Sequence, residues 1–188
     1  MRLEAGWGRA YSTSAELSGP DAGVPIEERY FAGGSNTVRG YREASLGPRL
    51  SEDDATLVQD PNFLTGRLSG GGNALLLGNI ELRFPVVPEW NIGGELFFDT
   101  GNVWANWSKV TASSFALTGA VEDREAANAY RTSFGIGVTY RTVVGPLRLD
   151  YGIPLRRATF NTRDDMGNIV DTETDPPSVW HFSLGYAF

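Results

Sequence analysis

The chain has 188 residues, enough for one domain, and nothing in its composition marks a second. It contains no cysteine, which excludes a disulfide framework and thiolate metal sites, and its net charge of −7 argues against a nucleic-acid partner, which needs a basic face. No run approaches the roughly 18 apolar residues of a spanning helix, and Met1 is not followed by a signal-peptide pattern. Transmembrane β-strands need only about 9 to 11 residues and leave a weaker trace, apolar and polar residues in alternation. The chain is therefore read for that period.

Met1 to about Tyr11 sets Leu3, Ala5 and Trp7 against Arg2, Glu4, Gly6 and Gly8, which suits a short strand. Ser12 to Pro25 holds a Ser-Gly-Pro-Asp-Ala-Gly run and reads as a loop on turn chemistry. It opens a connection that runs to Gly72, roughly 60 residues, far longer than compact domains use without a functional reason. From Asn73 to about Val86, the residues Ala74, Leu76, Ile80, Leu82 and Phe84 share one face and Asn79, Glu81 and Arg83 the other. Pro85 to Trp90 reads as a tight turn, because two prolines do not fit a central ladder. Asn91 to Trp104 puts Ile92, Leu96 and Phe98 opposite Glu95 and Asp99; Phe97, like Leu75 and Leu77 before it, joins the polar set, which suggests an internal contact.

Ala105 to Ala129 reads as a second long loop. Tyr130 to about Thr142 is a strand with Phe134, Ile136, Val138 and Tyr140 on its apolar face, and Val143 to Pro146 a tight turn. Leu147, Leu149, Tyr151, Ile153 and Leu155 then oppose Arg148, Asp150, Gly152 and Pro154. Arg156 to Ser178 reads as a third long loop, and Val179 to Phe188 as a last strand with Trp180, Phe182, Leu184, Tyr186 and Phe188 on one face. Long loops and tight turns alternate, so an antiparallel meander gathers all the long loops at one end. The apolar faces carry aromatics near strand ends (Trp90, Trp104, Trp180, Tyr186), as an interfacial girdle would, and the opposite faces carry charges suited to a wet lumen. A soluble barrel or sandwich, which hides its apolar face in a dry core, is the competing architecture.

The residues offer little for catalysis. The single histidine, His181, lies on the polar face of the last strand, and no nucleophile elbow, metal-ligand spacing or phosphate-cradling loop is present, Gly70 to Gly72 preceding a strand and not a helix. The expectation is a non-enzyme with no catalytic residue, no metal and no cofactor. Acidic residues gather in the expected loops: Glu52, Asp53 and Asp54; Glu122, Asp123 and Glu125; Asp164, Asp165, Asp171, Glu173 and Asp175. A solvated surface is the plain reading. Divalent cations shared with lipopolysaccharide phosphates are the sharper one.

One stretch fits no strand or helix period: Glu-Arg-Tyr-Phe-Ala-Gly-Gly-Ser-Asn-Thr-Val-Arg-Gly-Tyr, Glu28 to Tyr41. Gly33, Gly34 and Gly40 permit sharp folding that presents Arg39 in a fixed direction. An acidic-aromatic lead-in, Gly-Gly and Val-Arg-Gly-Tyr at this spacing resemble the signature of the Omp85 superfamily, outer-membrane barrels that insert or export other proteins. Asn-Ile-Glu-Leu-Arg-Phe (79–84), Phe-Phe-Asp-Thr-Gly-Asn-Val-Trp (97–104) and Gly-Pro-Leu-Arg-Leu-Asp-Tyr (145–151) are similar to strand motifs of the same family.

The resemblance is nearest to the barrel ends of BamA- and TamA-type assembly factors and implies an all-β fold: an antiparallel transmembrane β-barrel of which this is the C-terminal part, about six strands, with the signature loop, Gly33, Gly34, Val38, Gly40 and Tyr41, folded into the lumen. It implies that Glu81 and Asp99 anchor Arg39 there. The final strand, Trp180, Phe182, Leu184, Tyr186 and Phe188, resembles the β-signal of outer-membrane proteins and is an edge open to strand addition. The implied function is insertion of client barrels into the outer membrane of a Gram-negative bacterium by strand templating at a lateral seam. The alternative is a passive barrel or pore, or the membrane anchor of a two-partner secretion or POTRA-less surface-antigen protein. Implied partners are the bilayer, lipopolysaccharide, client outer-membrane proteins, accessory assembly proteins and further copies of the chain. Six strands are fewer than the minimum of about eight for closure. The chain is thus expected to be the end of a longer, POTRA-bearing protein, a short self-associating branch being the other option.

Overall fold

The computed structural model describes residues 1–8, 24, 26–48, 69–143, 145–163, 166 and 169–185. Among these residues nine strands form in chain order: β1 (Arg2–Trp7), β2 (Ala74–Val87), β3 (Ile92–Trp104), β4 (Val121–Glu122), β5 (Arg131–Thr142), β6 (Gly145–Pro154), β7 (Ala158–Arg163), β8 (Ile169–Thr174) and β9 (Val179–Leu184). A short helix α1 (Asp123–Asn128) follows β4. The six segments read as strands make one antiparallel sheet in the order β1-β2-β3-β5-β6-β9, while β4, β7 and β8 form a smaller one. Among the described residues the large sheet is open, with β1 and β9 as its edges and no pairing between them.

Three expectations about the connections are corrected. The stretch Arg156 to Ser178 is not simply loop: β7 and β8 form a hairpin in it, with alternating threonines (Thr159, Thr174) facing across the pair. The stretch Ala105 to Ala129 carries α1 and the short β4, which runs parallel to β7. Ala126 and Ala129 pack with Val121 and Ala158 into a small core between the two connections. Both segments are polar enough to read as loops because each buries only this narrow strip. Last, β2 continues through Pro85 to Val87 before the turn at Pro88–Trp90, with a register shift between Pro85 and Val87. β1 pairs with β2 only as far as Asn79, so the far half of β2 has one unladdered flank, where a residue lacking an N–H is tolerated. The first strand ends at Trp7 within the described residues; Ser12 to Gly23, the Glu52 to Asp54 group, Asp164, Asp165 and the last three residues lie outside them.

The sheet is layered opposite to a soluble one. Ile80, Leu82, Leu96, Ile136, Val138, Leu149, Phe182 and Leu184 are exposed, while Glu95, Asp99, Arg148 and Asp150 on the other face are buried. Such burial costs free energy unless each charge is paired. What covers that face is the connection between β1 and β2. Its Ala32, Val38, Tyr41 and Leu46 pack on Leu75, Leu77 and Val103, so the leucines that break the alternation of β2 form the apolar bed of the loop.

One aromatic position is also corrected. Trp104 is not at an exposed rim but fully buried, stacked on Tyr130 at 6.1 Å and on Trp107 at 6.1 Å, with its Nε1 donating to Asn128 O at 2.9 Å. The 105–129 connection folds back over it. Trp90 and Trp180 are exposed.

Candidate functional site

The loop reaches the sheet through a neck in which Tyr30 and Gly72 exchange backbone hydrogen bonds of 2.9 and 3.0 Å. Leu46 N donates to Ala32 O at 3.0 Å and the Gly33 N–H to Thr37 Oγ1 at 2.9 Å, closing a compact turn through Gly33 and Gly34. Both of these glycines, and Gly40 at the tip, hold φ near +100°, a region that side-chain-bearing residues enter only with strain. Gly40 has a second constraint. A Cβ there would lie 2.8 Å from Ser133 Cβ, and one on Gly152 would lie 2.4 Å from Gly40 N, so tip and strand approach through bare backbone on both sides.

Arg39 lies beside this contact and is almost fully buried. Its Nε donates to Asp99 Oδ2 at 2.7 Å and its Nη2 to Asp99 Oδ1 at 2.9 Å, a bidentate fork, while its own backbone N–H donates to Asp99 Oδ2 at 3.1 Å. Nη1 donates to Glu95 Oε1 at 2.8 Å, Nη2 lies 2.7 Å from Glu81 Oε1, and Asp150 Oδ2 is 3.6 Å from Nη1. The guanidinium carbon stands 3.7 Å above the centre of the Phe97 ring, which explains why Phe97 joins the polar face. Burial alone lowers the pKa of Arg39, but the hydrogen bonds and charge of Asp99, with Glu81 and Asp150 behind it, outweigh that and raise it, so the group stays ionised.

A second cation shares the acids. Arg148 Nη2 donates to Glu95 Oε1 and to Asp150 Oδ2, each at 2.9 Å, and Arg83 lies 2.5 Å from Glu81. Four carboxylates thus meet three guanidiniums. Asn79 completes the set, donating through Nδ2 to Asp99 Oδ1 at 2.9 Å and to Thr37 O at 2.6 Å. Strand register assembles these groups: Asn79 faces Asp99 across β2 and β3, Arg83 faces Glu95, and Glu95 lies in line with Gly137 and Asp150 across β5 and β6. Gly137 leaves the room, since a Cβ there would meet Asp150 Oδ1 at 2.2 Å.

Of the residues singled out from sequence, Arg39, Glu81 and Asp99 stand together, and Val38, Gly40 and Tyr41 flank them in the covered layer. Sequence reading places Glu95, Arg148 and Asp150 on the charged face without pairing them to Arg39. The signal is available: all are in phase with Glu81 and Asp99, and only the register is missing. His181 also meets the tip, accepting from Gly40 N at 3.4 Å through Nε2. Trp180, Phe182 and Leu184 are exposed on the opposite face of β9, while Tyr186 and Phe188 lie outside the described residues.

Tyr41 links this cluster to another. Its hydroxyl lies 2.7 Å from Arg156 O and 2.9 Å from Thr132 O, and burial pushes its pKa up. Arg131 donates to Asp175 Oδ2 at 3.0 Å, to Arg156 O at 3.2 Å and to Ala126 O at 2.9 Å, and Arg156 donates to Ser114 O and Ala116 O at 2.7 Å. Two buried arginines therefore tie the two connections to the end of the sheet. Asp175 and Glu173, expected in a free acidic surface, are engaged by Arg131 and Arg42.

In this cluster every carboxylate faces a guanidinium. Comparison with protein families matches the Omp85 superfamily domain over residues 1–188. The chain belongs to the Omp85 superfamily. Its place is the outer membrane of a Gram-negative bacterium. Two curated relatives are outer membrane protein assembly factor BamA from Neisseria meningitidis, 29% identical over 146 residues, and the protein of the same name from Nitratidesulfovibrio vulgaris, 24% identical over 146 residues. The matches cover 71% and 75% of this chain but only 17% and 14% of those relatives, so this Omp85 segment spans about a sixth of their length. A similar solved structure is BamA from Haemophilus ducreyi lacking POTRA domains 1–3, at 23% identity and a TM-score of 0.46, covering 86% of this chain and 28% of that one.

Proposed function

We propose that the six-stranded sheet is one wall of a transmembrane β-barrel, that its charged face lines the lumen, and that the loop bearing Arg39 is a plug anchored by Asp99, Glu81, Glu95 and Asp150. The observation that carries this reading is the inverted layering: a continuous apolar face left exposed and a charged face partly covered by one loop. In water the apolar face would be a liability; in lipid it is the required surface, and closure of the sheet by further strands would satisfy the edge hydrogen bonds. The whole protein acts, on this reading, as an assembly factor that inserts β-barrel clients into the outer membrane. Client strands add at an edge such as β9, whose apolar side chains Trp180, Phe182 and Leu184 are exposed. Strand pairing and local membrane weakening do the work, without a covalent step. Family membership and the two BamA relatives support the role.

The test is reconstitution of the full-length parent into lipid vesicles and measurement of the folding rate of an unfolded client barrel by heat-modifiability on semi-native gels. Acceleration over empty vesicles, weakened by Arg39→Ala, is expected. Vesicles that become leaky without any acceleration would instead identify a passive pore or anchor.

A further inference from the structure

The plug covers only part of the charged face. Toward the tight turns, below Glu95 and Asp150, the inner face opens into a cavity of about 400 Å³ lined by Arg83, Arg141 and Arg148, by Asn91 and Thr139, and by an apolar rim of Pro85, Pro88 and Pro146. In a chain of net charge −7, no Asp or Glu among the described residues lines it. Register stacks the three guanidiniums in successive rows: Arg83 opposite Glu95, Arg148 opposite Thr139, Arg141 opposite Pro146 at the turn. Arg83 and Arg148 are held on one side by the anchor carboxylates, which fixes their positions. Arg141 is different: it is exposed and makes no side-chain hydrogen bond or ion pair to any described residue.

We propose that this cavity is a binding site for carboxylates carried on an extended peptide entering from the tight-turn end, with Arg141 as the principal contact and the paired Arg148 and Arg83 lining its inner wall. Guanidinium groups suit carboxylate because their planar forks match it with two parallel hydrogen bonds. The volume lies in the range of pockets that hold several linked groups, larger than a single inorganic oxyanion fills, and the apolar rim suits the aliphatic stem of a glutamate. The site needs only the part of the inner face that the plug leaves open, so it stands or falls independently of client assembly.

The experiment uses the full-length parent in lipid vesicles and a fluorescent tetraglutamate peptide, with a tetraglutamine peptide and inorganic phosphate as comparisons. Tetraglutamate is expected to bind and tetraglutamine not. Arg141→Gln weakens binding by about ten-fold or more, Arg141→Lys by less, and Arg157→Gln, at the long-loop end, leaves it unchanged. Unaltered heat-modifiability of the variants shows that the fold is intact; Arg141 takes no part in the plug anchor. Absence of tetraglutamate binding, or binding indifferent to Arg141→Gln, overturns the proposal. Phosphate binding without peptide binding overturns it as well, leaving a site for a free oxyanion.

Discussion

The two faces of one sheet obey opposite rules. On the inner face, between β2 and β6, four strand carboxylates pair with a single loop arginine and all but Glu81 are buried; on the outer face the same strands expose isoleucine, leucine, valine and aromatic side chains. The comparison shows where specificity resides. The outer face needs only to be apolar, so one aliphatic residue replaces another at little cost. The inner face needs each charge opposite its partner, because a buried charge left alone is far more expensive than the intact pair is favourable.

The largest effect should therefore come from breaking the anchor on one side only. Arg39→Ala leaves Asp99 and Glu95 facing one another without their shared cation, and a loss of about 3 to 5 kcal/mol is expected by the usual cost of orphaning a buried charge, read from denaturant unfolding in lipid or detergent. Asp99→Asn keeps shape and hydrogen bonding and should lose less. Next comes an intrusion of charge on the opposite face. Ile136→Arg, on an exposed position of β5, should cost about 2 to 4 kcal/mol if it sits near the bilayer midplane, whereas Thr139→Arg, facing inward, should cost far less. Equal costs at the two positions would dissolve the distinction between the faces.

Gly152→Val probes the contact itself, since its side chain would collide with the backbone of Gly40. Protease sensitivity of the loop should rise while the outer face is untouched. Tyr41→Phe removes one buried hydroxyl shared between two carbonyls and should cost about 1 kcal/mol, measured in the same unfolding assay. The smallest effect is expected at Glu4→Ala, whose pair with Arg2 is exposed and at most about 1 kcal/mol in favour of the fold.

Much of this is legible in the sequence because alternation carries directional information: parity alone assigns Glu81, Glu95, Asp99, Arg148 and Asp150 to one face. The tip arginine and its first two acidic neighbours can be named from local motifs. Parity says nothing of register, which is why Glu95 and Asp150 are joined to Arg39 only by the structure. The hairpin β7–β8 and helix α1 escape for another reason. Their buried strip is a few small residues, Ala126, Ala129 and Ala158, and alanines give almost no periodic signal. Trp104 is misplaced from sequence because an aromatic at a strand end looks alike whether lipid or a folded-back loop covers it.

The most direct measurement is site-directed spin labelling of the parent in lipid vesicles; this segment has no native cysteine to remove. Single labels are placed at Leu82, Ile136 and Leu149 on the outer face and at Arg83, Thr139 and Arg141 on the inner. Outer labels should collide preferentially with oxygen dissolved in lipid and inner ones with a water-soluble nickel chelate. If outer labels met the chelate as readily as inner ones, or were shielded from both reagents, the apolar face would not be in contact with lipid and the barrel-wall account would be contradicted.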